Sequence, residues 1–129
     1  MTGARRAGGI GGERGSVAVE YGIILPVLLM LTLGIIDTGR LIWTQTTLDR
    51  AVETAARCGA VNAIDCGTVS QLQSYAVGEA YGLTIQASDF TVSTEACGVQ
   101  VAVSYPFNVV IPWVNVATLT LKATACYPT

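Results

Sequence analysis

Histidine is missing from this 129-residue sequence, and lysine occurs once, at Lys122. Without histidine the chain lacks the commonest general base, the commonest metal ligand and every Ser-His or Cys-His nucleophile pair. The four cysteines do not follow the paired C-x-x-C spacing of zinc sites, and no glycine-rich phosphate loop follows a predicted strand. We therefore expect no catalytic residues, no metal and no cofactor, and an enzyme is the least favoured class of function.

Charge is also scarce, because Asp, Glu, Lys and Arg together make up 12% of the residues and the formal net charge is -2. The seven Lys and Arg are spread along the chain, so no basic patch is available for a nucleic-acid backbone. Hydrophobic residues make up 51% of the chain, which is more than a water-soluble domain of this size usually carries. We therefore expect no nucleic-acid partner, and the composition indicates a membrane segment.

Residues 16–36 form an apolar run that contains one charged side chain, Glu20. As a helix this run is about 31 Å long, which is enough to cross the hydrocarbon core of a bilayer. Tyr21 and Trp43 lie about 33 Å apart along the same helix, as an interfacial aromatic pair would. We predict a membrane-spanning part over residues 16–43.

The flanking charges predict the orientation of this segment. Three arginines precede it, namely Arg5, Arg6 and Arg14, and positive flanks favour the cytoplasm, although Arg40 on the other side weakens the asymmetry. All cysteines follow the run, and disulfides require an oxidising compartment. The chain is therefore predicted to be a single-pass protein of the cytoplasmic membrane with its amino end inside and its carboxyl end outside.

The predicted helix changes character along its length. Pro26 removes one backbone hydrogen bond and predicts a kink near Leu25. Asp37 and Arg40 are three residues apart, so they can pair where the helix leaves the membrane. Two interpretations of this pair are equally supported: an ordinary solvated pair and a pair with a role in assembly. Beyond this boundary an apolar stripe predicts that the helix continues over residues 44–58 and ends before a glycine; the residues are Leu41, Leu48, Val52, Ala55, Cys58 and Gly59.

Residues 59–129 are predicted to form a small α+β domain outside the membrane. Leu72, Ala76 and Ala80 share one face of a helix over residues 69–81, with Thr68 or Ser70 as its cap. Alternating apolar and polar residues then predict three antiparallel strands, at residues 90–95, 98–105 and 118–125. The fold class is therefore α+β, with a long amino-terminal transmembrane helix joined to a helix and a three-stranded sheet.

The four cysteines allow three disulfide connectivities. If the second and third strands are adjacent and antiparallel, Cys97 lies close to Cys126, which favours a bridge between them. Cys58 and Cys66 would then join the end of the long helix to the loop that follows it. The sequence favours this pairing without excluding the others.

The amino-terminal 15 residues, MTGARRAGGIGGERG, are rich in Gly and Arg and are predicted to be a disordered cytoplasmic leader. The stretch that follows Arg14 reads G-S-V-A-V-E-Y, from Gly15 to Tyr21. It resembles the processing site of type IV pilin-like precursors, in which a prepilin peptidase cuts after the glycine and the acidic residue becomes the fifth of the mature chain. The resemblance implies cleavage between Gly15 and Ser16.

A longer stretch, GSVAVEYGIILPVLLMLTLGIIDTGRLIW, resembles the amino-terminal signature of the TadE-like pseudopilins of the Tad (tight adherence, or Flp) type IV pilus system. The matching residues are Gly15, Glu20, Tyr21, Pro26, Gly34, Asp37, Gly39 and Arg40. The main Tad pilin subunits are much shorter than this chain, so the resemblance implies a minor pilin. Its partners would be the prepilin peptidase, other pilin subunits and the assembly machinery of a pilus used in adhesion, and its final location could be the cell surface.

The resemblance also gives Glu20 a role, which is to pair with the new amino group of Ser16 in a neighbouring subunit when the helices pack together, with Tyr21 beside it. Two alternatives stay open from the sequence. Glu20 lies only about 6 Å along the helix from Ser16, so its carboxylate could reach the lipid headgroups without a partner. The chain could also remain an uncleaved single-pass protein whose outer domain binds a ligand.

The segment YPFNVVIPWVN, residues 105–115, is unusually apolar for a connection between two strands. Connections of this kind cover a core or meet a partner. We expect it to cover the core, with a contact to another subunit or to the membrane surface as the alternative.

Overall fold

A computed structural model describes residues 12–111 and 118–129 of the chain. The fold is α+β, as predicted, with helices and strands in the order α1 (Gly12–Val61), α2 (Ala63–Cys66), α3 (Val69–Glu79), β1 (Phe90–Glu95), β2 (Gly98–Phe107) and β3 (Leu119–Tyr127). A short 3-10 helix, Ala87–Asp89, precedes β1. Helices α2 and α3 and the three strands are called the α+β unit below.

Helix α1 is 50 residues long, or about 75 Å, and it continues through Pro26 without interruption. It begins at Gly12, so the prediction of a disordered segment up to residue 15 is wrong for residues 12–15. Once a helix has formed, each added residue gains one hydrogen bond without a further nucleation cost, which lets the helix extend into this glycine-containing stretch. Residues 1–11 of the predicted leader lie outside the described part of the chain.

The second half of α1 packs against the sheet through one stripe of side chains. Leu48, Val52 and Ala55 are buried and Leu41 is partly buried against the same core, which confirms the predicted stripe. Ala51 and Ala56 widen it, and their small side chains let the strands approach the helix closely. Burying this stripe is what holds the α+β unit to the helix.

Helix α1 ends at Val61 rather than before Gly59 as predicted. A Cβ atom at position 59 would come within 3.1 Å of Val99 and 3.2 Å of Leu72, so this glycine gives room for close packing inside the helix. The helix stops at Asn62, whose side-chain oxygen accepts hydrogen bonds from the backbone N–H groups of Ile64 and Asp65. Asn62 thus begins α2 instead of continuing α1.

Helix α3 has the predicted face and one of the two predicted caps. Leu72, Ala76 and Ala80 are buried, and Thr68 caps the helix through a reciprocal pair of hydrogen bonds with Gln71. The helix ends at Glu79, two residues earlier than predicted. The N–H of Ala80 bonds to the carbonyls of Ala76 and Val77 and closes the last turn.

The three strands form an antiparallel sheet in the order β1-β2-β3, which agrees with the predicted sheet. Strand β1 has the predicted bounds, whereas β2 extends two residues further, to Phe107, and β3 is shifted to Leu119–Tyr127. Strand β1 reaches along β2 only as far as Val103. Pro106 lies beyond that point, where a missing N–H costs no hydrogen bond to β1, so the sequence can extend β2 through a proline.

Two disulfides, Cys58–Cys66 and Cys97–Cys126, join the pairs that the sequence favours. The second follows from the register, because Gln100 pairs with Cys126 and places the start of β2 beside the end of β3. Gly98 has φ of 122°, and a Cβ there would lie 2.1 Å from the carbonyl oxygen of Tyr127. Only glycine allows the two strand ends to approach this closely beside the bridge.

The described part of the apolar segment covers the core, as expected. Phe107 is buried, and Tyr105 and Val109 pack against the core cluster. Val110 is 56% exposed. Trp113 and the rest of the segment, up to residue 115, lie outside the described residues.

Candidate functional site

The first half of α1 is an exposed apolar rod. Large apolar side chains on every side of the helix are about half exposed or more, including Val17, Val19, Ile23, Ile24, Leu28, Leu31 and Ile35. A helix that is apolar all round requires lipid or other helices as its surroundings. Within the described residues it is long and apolar enough to cross a membrane, which is compatible with a single-pass membrane protein.

The residues predicted for processing and subunit pairing lie at the start of this rod. Gly15 and Ser16 are exposed and helical, and Glu20 is exposed on the same helix. Tyr21 beside it is 68% exposed. One subunit therefore leaves both the predicted cleavage bond and the predicted pairing residues accessible to a partner.

The junction between the rod and the α+β unit is built around Asp37, the first acidic residue after the apolar run. Its side chain is only 8% exposed. One carboxylate oxygen, Oδ2, accepts hydrogen bonds from the backbone N–H groups of Val110 (2.9 Å) and Ile111 (3.2 Å). The other, Oδ1, accepts one from Nη1 of Arg40 at 3.1 Å. Asp37 thus ties the chain that leaves β2 to the middle of α1.

Arg40 is the second side chain of α1 in the junction, and it contacts both Asp37 and Phe107. Its guanidinium carbon lies 5.4 Å from the centre of the Phe107 ring, a cation–π distance, while the Arg40 side chain stays 47% exposed. Trp43, one turn further, is 64% exposed. The pairing of Asp37 with Arg40 agrees with the sequence, and the position of all three residues at a membrane boundary stays a prediction.

No sequence pattern predicts the contact between Asp37 and the segment after β2. The partners are 73 and 74 residues apart in sequence, and no local pattern marks a backbone N–H that needs a distant carboxylate. Of the two interpretations left open for Asp37, the solvated boundary pair does not describe a carboxylate that is almost fully buried. The one sequence feature that indicates a contact here is the apolar character of residues 109–111, which predicts that this segment packs against another part of the protein or against a partner.

Replacing Asp37 with alanine is expected to release residues 110 and 111 from α1. Two N–H groups would lose a charged acceptor, and hydrogen bonds to charged groups contribute about 1.5–3 kcal/mol each. The amide protons of Val110 and Ile111 should then exchange with solvent roughly 10- to 150-fold faster. Hydrogen exchange of the full chain in detergent micelles measures this directly.

Asp49→Ala is the matched control, because Asp49 is an exposed carboxylate on the same helix that accepts a hydrogen bond from Gln45 within α1. It should leave the exchange of both amides unchanged. Equal protection in wild type and Asp37→Ala would show that the carboxylate does not hold the segment.

The geometry defines a class of protein: a long helix whose first half is exposed and apolar, and whose second half carries a small α+β unit with two disulfides. The model of the TadE-like protein family matches residues 15–57, about a third of the chain. No curated protein and no solved structure matches. The resemblance to TadE-like proteins is thus confirmed over the segment that contains the exposed rod, Asp37 and Arg40, and the buried stripe of α1.

Proposed function

We propose that this chain is a minor pilin or pseudopilin of a Tad-type pilus, with a structural role in pilus assembly and no enzymatic role. The observation that carries the proposal is the TadE-like match, which begins at Gly15 and covers the apolar half of α1. An exposed apolar helix that carries a compact unit at one end suits a subunit that is stored in a membrane and later packs helix against helix. Adhesion is the use that we propose for the assembled pilus.

In the proposed precursor, residues 1–15 are a cytoplasmic leader, residues 16–43 cross the cytoplasmic membrane once, and residues 44–58 extend the helix outside. Residues 59–129 then lie in the extracytoplasmic space. Two observations support this orientation: Arg5, Arg6 and Arg14 lie ahead of the apolar run, and both disulfides lie after it. Asp37, Arg40 and Trp43 mark the outer boundary.

The proposed partners are a prepilin peptidase, which cuts between Gly15 and Ser16, and other pilin subunits. Glycine costs about 1 kcal/mol more than alanine inside a helix, so Gly15 makes the first turns of α1 easy to unwind for a peptidase. Glu20 then pairs with the amino group of Ser16 in a neighbouring subunit, and Tyr21 packs beside this pair.

Replacing Gly15 with valine should block processing, because a branched side chain at the scissile position obstructs a site that accepts glycine and stiffens the backbone. We expect the variant to stay at precursor mass in cells that carry the matching peptidase, while the wild type loses the 15-residue leader. Mass spectrometry of the membrane fraction gives the answer.

Gly22→Val is the matched control, because a Cβ at position 22 meets nothing within 4 Å and the residue lies within the same exposed helix. It should be processed normally. A shortened form of Gly15→Val would mean that cleavage does not occur after residue 15.

A further inference from the structure

A cleft of about 380 Å³ opens beside the Asp37 junction, between α1, the turn that follows α3 and the end of β2. Arg40 and Trp43 line it from α1, and Tyr105 and Asn108 line it from β2 and the residues after it. The side chains of these four lining residues carry a guanidinium, an indole N–H, a phenol O–H and a carboxamide. Each of these groups can donate a hydrogen bond to an anionic oxygen.

The position of the cleft along α1 indicates which part of a membrane lipid could enter it. Arg40 lies four residues beyond Ile36, or about 6 Å along the helix, and Trp43 about 10 Å. The polar headgroup region of a bilayer adds roughly 5–8 Å on each side of the hydrocarbon core. If residues 16–36 of the membrane-spanning part lie in the hydrocarbon core, the cleft opens at the level of the phospholipid phosphates.

The charges at the junction leave Arg40 able to bind an anion. Asp37 is 6% exposed, and both of its carboxylate oxygens already accept hydrogen bonds. Its described bond to Arg40 uses Nη1, and the half-exposed guanidinium carries five N–H donors in all. The ring of Phe107 holds the guanidinium in place at 5.4 Å. A fixed, partly exposed guanidinium suits the two oxygens of a phosphodiester.

We propose that this cleft binds the phosphodiester of an anionic membrane phospholipid, with Arg40 as the charged ligand and Trp43, Tyr105 and Asn108 as neutral donors around it. The inference rests on the membrane insertion contained in the proposed function. A bound headgroup would hold the subunit at a defined depth, with the Asp37 junction at the surface of the bilayer.

The test is native mass spectrometry of the full chain, purified in mild detergent and offered phosphatidylglycerol or an uncharged galactosyl diacylglycerol that lacks phosphate. We expect wild type to retain one phosphatidylglycerol in preference to the galactolipid. Arg40→Gln should lower this retention by about tenfold or more, because the charge-assisted pair is lost. Arg40→Lys, which keeps the charge but loses the planar fork, should fall between the two.

A second variant removes the space without removing the charge. Gly39 lines the cleft, and a Cβ there meets nothing within 4 Å, so Gly39→Leu should fill the cleft while leaving Asp37 and Arg40 paired. We expect the same loss of phosphatidylglycerol as in Arg40→Gln. Gly22→Leu and Arg57→Gln are the controls, since both positions lie about 25 Å along α1 from the cleft, and both variants should bind like wild type.

Wild type that retains phosphatidylglycerol no better than the galactolipid, or Gly39→Leu that retains it like wild type, would overturn the proposal. Displacement of the lipid by an excess of inorganic phosphate would also overturn it, because the cleft would then bind free phosphate rather than a headgroup. Flotation of each variant with vesicles tests membrane insertion separately from headgroup binding. A chain that does not float contradicts membrane insertion itself, whereas a chain that floats without lipid preference contradicts only this inference.

Discussion

Replacing Glu20 with alanine should leave the amount of membrane-inserted protein unchanged and reduce pilus assembly by at least tenfold. In the proposed packing, Glu20 is paired with the amino group of Ser16 in a neighbouring subunit. Removing one partner of a buried ion pair leaves the other charge unpaired and costs about 3–5 kcal/mol. That cost corresponds to a loss of at least a hundredfold in the affinity of one subunit for the next.

The measurement for Glu20→Ala is the yield of sheared pili relative to the quantity of processed subunit in the membrane. Glu53→Ala is the matched control, because Glu53 is an exposed glutamate in the second half of the same helix and it should assemble like wild type. Glu20→Gln keeps the shape of the side chain and removes its charge, so it should fail like alanine if charge pairing is the cause. Normal pilus output from Glu20→Ala would contradict the pairing and favour a carboxylate that only reaches the headgroups.

Removing the Cys97–Cys126 bridge by replacing both cysteines with serine should destabilise the α+β unit by about 3.6 kcal/mol, the value of the loop-entropy model for this closure. The core of the unit is small and relies on alanines such as Ala76 and Ala123, so this is a large share of a stability that small domains keep at about 5–10 kcal/mol. The midpoint of urea unfolding should fall by roughly 3.6 M if the slope is about 1 kcal/mol per molar.

Pulse proteolysis of the full chain in detergent, over a series of urea concentrations, measures this midpoint. The double variant at Cys58 and Cys66 is the comparison, because its loop is shorter, with a sequence separation of 8 against 29, and its expected loss is about 2.6 kcal/mol. A change below about 1 kcal/mol for the Cys97 and Cys126 pair would show that the strand register holds the unit together without the bridge.

The elements that the sequence predicted well are those in which a local pattern and the tertiary structure agree. The stripe of Leu48, Val52 and Ala55 repeats at helical spacing and is buried. The alternation in β1 to β3 predicted both the strands and, through their antiparallel order, the bridge between Cys97 and Cys126. Such patterns can be predicted because residues that share a face recur at a short, fixed spacing in the sequence, which is three or four in a helix and two in a strand.

The features that sequence patterns did not predict depend on distant partners. The sequence pattern predicts that α1 ends before Gly59, but this glycine lies inside the helix and makes room for Leu72 and Val99, which only the packed structure brings close. The spacing of Asp37 and Arg40 predicts that they pair, but it does not predict that the second oxygen of Asp37 accepts hydrogen bonds from N–H groups more than 70 residues away. Every residue except proline has a backbone N–H, so the sequence does not indicate which distant acceptor a given N–H will bind.

The most direct test of the central claim is the amino-terminal residue and intact mass of the wild-type protein recovered from membranes of cells that carry the matching prepilin peptidase. Cleavage between Gly15 and Ser16 predicts a chain that begins at Ser16, and a full-length precursor when the peptidase is absent. A chain that keeps residues 1–15 in the presence of the peptidase would contradict the account, and it would favour a permanently anchored protein whose function resides in the α+β unit.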